Sequence, residues 1–124
     1  MKKKDLPEIL LEEDDGSGLV KPENLVGFRG TFISIEKEGR THILSRRRLG
    51  SHLGLFKYYR DKQDLYDLTG FVPSGGGEIE IRDKRIWLHG SSDSYGKYNR
   101  EAVHSIIERF VQEYLPSHII DLST

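Results

Sequence analysis

The chain has 124 residues, 19 Lys and Arg against 20 Asp and Glu, a formal net charge of −1 and no cysteine. That length suits one domain with a real core, and the balanced charge speaks against bulk attraction to nucleic acid. The missing thiols exclude disulfides, iron–sulfur clusters, thiolate zinc sites and cysteine nucleophiles. The basic start "MKKKDLPEILLEEDD" is broken by Pro7 and by acids, so it is not read as a secretory signal. No stretch has membrane-spanning length, and the expectation is a soluble cytoplasmic monomer with no membrane partner.

Residues 1–24 read as a flexible or loosely docked lead-in, with "PEILLE" as a short docking segment, and residues 25–124 as a single domain. "LVGFRGTFISIEK" alternates and predicts a strand over 27–36; "EKEGR" turns, and "THILSR" returns as the second strand of a hairpin. In "RLGSHLGLFKYY" Leu49, Leu53 and Phe56 have helical spacing, with Ser51 able to cap the start. "RDKQD" at 60–64 is a solvated stretch, and "PSGGG" at 73–77 reads as a break or flexible loop. "EIEIR" then places Ile79 and Ile81 on one face and Glu78, Glu80 and Arg82 on the other; "RDKR" turns and "RIWLHG" completes a second hairpin. From Arg100 to Leu115, Val103, Ile106, Ile107, Phe110, Val111 and Tyr114 form one apolar stripe, with Asn99 as N-cap and Pro116 as stop. "SHIIDL" is a last strand. The predicted class is α+β, a mixed and mostly antiparallel sheet with two helices in the order β-β-α-β-β-α-β.

The stretch "HGSSDSYGKYN" at 89–99 holds more small residues than a tight connection needs. It leaves a strand and feeds a helix N-terminus, where free N–H groups and partial positive charge favour an anion. Gly90 and Gly96 permit close backbone approach, and Ser91, Ser92 and Ser94 add hydroxyls. No lysine-bearing P-loop accompanies them. Of the five histidines, His42 and His118 are placed in strands, His104 on a helix flank and His89 at the strand end before the serine loop. His52 lies beside glycines near a helix start, behind Arg46, Arg47 and Arg48, which gather oxyanions. No histidine pair has metal-ligand spacing, so no metal and no cofactor is expected.

Taken together, "SH" at 51–52, "GGG" at 75–77 and "GSSDSYG" at 90–96 resemble the phosphohistidine phosphatases of the Janus type over roughly residues 27–122. The resemblance implies that a strand leads to a helix bearing the catalytic histidine, that a triple glycine opens a later strand, and that a G-x-S-x-x-Y-G loop precedes the second helix. It makes His52 the catalytic residue. It gives phosphate binding to Arg29, Arg46, Gly90, Ser92, Ser94, Tyr95 and Gly96; Gly75, Gly76 and Gly77 of the triple glycine, Glu78 beside it and His89 at the loop entrance are further candidate site residues. The family's arginine after the triple glycine is replaced here by Glu78, and its basic residue before the histidine is displaced, with Arg46 the nearest.

These residue types fit hydrolysis of a labile P–N bond. A neutral imidazole attacks phosphorus or deprotonates a water, and both roles stay open, while amides and Arg29 stabilise the phosphoryl oxygens. The expected partner is a phosphorylated protein or a small phosphoramidate. Two alternatives stand beside the enzyme: a non-catalytic anion-binding module of the same fold, which Glu78 favours, and a nucleic-acid-binding accessory protein, suggested by "SRRR" near Tyr58 and Tyr59.

Overall fold

The structure, a computed structural model, describes residues 5–61 and 66–123. Positions 1–4 of the basic start and 62–64 of the solvated stretch lie outside the described residues. Among the described residues six strands and two helices follow in the order β1 (Ile9–Glu12), β2 (Arg29–Lys37), β3 (Arg40–Arg46), α1 (His52–Asp61), β4 (Val72–Arg82), β5 (Arg85–His89), α2 (Arg100–Tyr114) and β6 (Ile119–Leu122), with a 3₁₀ turn at Pro22–Asn24. The fold is α+β. Its one sheet runs β1-β3-β2-β4-β5-β6, parallel at the two outer pairs and antiparallel between them.

Both hairpins close through two-residue turns. Lys37 pairs with Arg40 and Arg82 with Arg85, and Glu38, Gly39, Asp83 and Lys84 all have positive φ, as a turn matched to strand twist requires. That fixes the register. Alternation along β2 sends Phe32 into the cluster beneath α2, with Ile79, Ile81, Ile86 and Leu88, and sends Ile33 and Ile35 beneath α1, with Leu10, Leu44, Leu55 and Tyr59. The sheet therefore has an α1 face and an α2 face.

Two elements differ from the sequence reading. β1 adds a strand to the predicted order: it pairs in parallel with β3, and Leu10 is fully buried. The "PSGGG" segment is no break; it is the first half of β4, with Ile33 opposite Gly76 and Phe32 opposite Gly77. Glycine is disfavoured in strands unless another group must come close, and two such groups arrive here. A Cβ on Gly75 would lie 2.5 Å from the Tyr98 Cα, and one on Gly76 would lie 2.7 Å from the His52 Cδ2. His118 is a smaller correction, since it stands one residue before β6. The N-caps are as expected: Asn99 accepts from the Ala102 amide at 3.1 Å, and Ser51 from the Gly54 amide at 3.1 Å.

Candidate functional site

β5 is shorter than β4, so beyond His89 the β4 edge lacks a strand partner. The loop after β5 takes that place: Gly76 bridges to Lys97, and its amide donates to the Gly96 carbonyl at 3.2 Å. α1 delivers His52 to the same residue from the α1 face. The imidazole lies over Gly76, and Nε2 is 3.0 Å from the Gly77 carbonyl oxygen. A carbonyl only accepts, so Nε2 carries a proton, and in the neutral ring Nδ1 is the nitrogen with the lone pair. His52, the triple glycine and the 90–96 loop are thus brought together on one stretch of strand. Phe56, one turn after His52, meets Tyr95 of the loop edge-on at 6.3 Å and ties the helix to it.

The loop is closed upon itself. Ser92 and Gly96 exchange backbone bonds of 3.0 and 2.8 Å. The amides of Ser94 and Tyr95 both aim at one oxygen, the Ser92 Oγ, at 3.2 and 3.0 Å, and Ser92 is buried. Two successive amides converging on one oxygen is how a backbone cradle receives an anion. Here a serine hydroxyl fills that cradle, so four of the amides expected for phosphate are already donated. Gly90 and Gly96, at φ +80° and +79°, bracket the curl.

The expected cations are spread out. Arg29 stands opposite Glu80 at the outer start of β2, four residues before the Ile33 that faces Gly76, and it is exposed. Arg46 and Arg48 line a cavity of about 320 Å³ with Thr31, Gly50, Ser51 and Tyr58. It adjoins the Gly54, Leu55 and Tyr58 side of α1, a different flank of the helix from the one bearing His52 and Phe56. The Arg46 guanidinium rests 3.9 Å above the Tyr58 ring and donates to the Asp14 carbonyl at 3.2 Å. Arg47 is engaged elsewhere, with Glu13 at 2.6 Å.

Two side chains that the resemblance does not explain complete the α1 face. Glu78 lies two residues beyond Gly76 and directly opposite His89. The carboxylate is 3.6 Å from the His89 Nε2, inside ion-pair range but too long for a formed hydrogen bond. The His89 ring stacks on Trp87 at 4.0 Å, and the indole N–H donates to the Ser123 hydroxyl at 3.2 Å. The register sum is legible in a two-residue hairpin turn, so this pair could have been found from the sequence. A larger cavity, about 530 Å³, lies between the N-terminal segment and α2, lined by Ile9, Leu19, Pro22, Phe110 and Tyr114 among others. It is remote from this chemistry and contains no histidine.

No protein-family model matches the chain, and no curated protein matches it either.

Proposed function

We propose that the chain is a phosphatase acting on phosphohistidine or a related phosphoramidate, with His52 as the group that attacks phosphorus or deprotonates the attacking water. One observation carries the reading. The Gly77 carbonyl fixes the His52 tautomer and leaves the Nδ1 lone pair uncommitted, while the neighbouring loop offers two amides that converge on a single oxygen. Neutral imidazole with an oriented second nitrogen is the form that either role requires. An anion entering the loop would exchange with the Ser92 hydroxyl rather than fill an empty cradle. His52→Ala should lower turnover of a phosphoramidate, measured in the presence of a chelator, by roughly 10²–10⁴-fold without unfolding the domain. Near-normal hydrolysis by the purified variant would overturn the assignment.

A second reading rests on Glu78 and on the self-closed loop: a module of this fold that binds an anionic partner without turning it over. Calorimetry with inorganic phosphate, beside the turnover assay, separates the two. Binding without hydrolysis by the unmodified protein selects the module.

A further inference from the structure

We propose that His89, held by Glu78, is the acid that protonates the leaving nitrogen; this rests on the phosphatase reading above and adds a second histidine to it. Along β4 positions 76 and 78 lie on the same face, about 7 Å apart by strand rise. His52 covers the first of these positions and His89 stands opposite the second. His89 also ends β5, next to Gly90, so it closes the strand side of the same loop.

The charged groups around His89 single out Glu78 as its partner. On β4, Glu80 lies 3.2 Å from Arg82; on β6, Asp121 lies 3.6 Å from Arg85. Arg29 on β2 faces Glu80, Arg46 on β3 is turned to Tyr58 and Asp14, and His52 on α1 is bonded to Gly77. Of Glu78, Glu80 and Asp121, the carboxylates around His89, Glu78 is the one with no arginine in ion-pair range among the described residues. A proton on His89 Nε2 would complete an ion pair at 3.6 Å, and the Trp87 face beneath the ring favours a cation.

The chemistry needs such a donor. As the bond from the attacking atom to phosphorus forms, the P–N bond of the substrate breaks. Its electron pair stays on the nitrogen, which takes the proton from His89 Nδ1, the ring nitrogen not turned to Glu78, and leaves as a neutral amine or imidazole. If His52 Nδ1 is the nucleophile, water then attacks phosphorus, the P–Nδ1 electron pair returns to His52, and the water's proton restores His89. If His52 is the base, it takes the water's proton in the first step and returns it to His89 through solvent. Either way phosphoramidate and water become amine and hydrogen phosphate.

The experiment compares the unmodified protein, His89→Gln, Glu78→Gln and His52→Ala on a phosphoramidate and on p-nitrophenyl phosphate, whose aryl oxide leaves without a proton. His89→Gln should lose roughly 10²-fold or more on the phosphoramidate but only a few-fold on the aryl ester. The alkaline limb of the bell-shaped pH–rate profile should vanish with it. Glu78→Gln should fall between the unmodified protein and His89→Gln on the phosphoramidate alone. His52→Ala should lose both activities. Equal losses on both substrates for His89→Gln, or an unchanged pH profile, would overturn the acid role and leave the phosphatase reading standing. Absence of turnover of either substrate by the unmodified protein would remove that reading and this inference with it.

Discussion

α2 buries Val103, Ile106, Ile107, Phe110 and Val111 against the sheet, whereas α1 buries only Leu55 and Tyr59 and carries Gly54 in its first turn. Each buried aliphatic or aromatic side chain stabilises by about 1.5–3 kcal/mol, so five such side chains hold α2 roughly two to three times as firmly as two hold α1. The difference follows what each helix lays on the sheet. α2 seals a core, and its whole inner stripe is spent on packing. The inner positions of α1 are shared between packing and His52, whose ring must lie on a glycine backbone instead of in an apolar pocket. A helix that lays a polar ring on a glycine backbone gives up burial to do so.

That contrast can be broken most directly at the core. Ile107→Ala should cost about 2–5 kcal/mol in denaturant unfolding, because Ile107 is fully buried, and Leu55→Ala on α1 should cost less, since its site lies at the margin of the smaller cluster. Equal losses would mean that α1 is anchored as firmly as α2. Gly76→Ala sharpens the other side of the comparison. Its Cβ would meet the His52 Cδ2 at 2.7 Å and the Phe32 carbonyl oxygen at 2.8 Å, an overpacking cost of about 1–3 kcal/mol. The ring must then leave Gly77, so hydrolysis should fall further than stability does, and the His52 imidazole resonances should shift in NMR spectra. A normal His52 environment would show that β4 moves instead.

The smallest effect concerns pH. Arg109 of α2 grips Glu8 through two bonds, of 2.9 and 2.5 Å, and this pairing holds the Glu8 carboxyl below its usual range against the opposing effect of partial burial. A lowered folded-state value stabilises the protein above the unfolded carboxylate value, and that contribution is lost as pH falls through the folded one. The pair is largely exposed and screened. Arg109→Ala should therefore make the thermal midpoint slightly less sensitive to acid, with little change to α1 or to hydrolysis.

The same contrast marks what could be read in the sequence. α2 announces itself because six apolar residues repeat at helical spacing between an Asn cap and a Pro stop, all local signals. The hairpins are equally local. β1 is hidden because its partner, β3, lies some thirty residues away, and a run of three apolar residues has no period of its own. The glycines of β4 mislead for a related reason: locally they signal a break, and only the ring of His52 and the backbone of Tyr98, both distant in sequence, make them a requirement of the strand. The resemblance directed attention to His52 and the loop, but residue types could not show that the Ser92 hydroxyl already occupies the converging amides. Glu78 and His89 were individually visible; their pairing needed the two-residue turn at Asp83 and Lys84 to be counted out along both strands.

The self-closed loop also has a thermodynamic meaning. Its backbone is ordered during folding, so a ligand that enters meets no entropic charge for arranging it and trades one hydrogen-bond acceptor for another. The enthalpy of that trade is near balance when the incoming oxygen is neutral and favourable when it is ionised, because charge-assisted bonds are roughly twice as strong. If the loop takes an anion as proposed, the Ser92 hydroxyl would act as a threshold: water and uncharged oxygens would gain little by displacing it, and an anion would gain enough to stay.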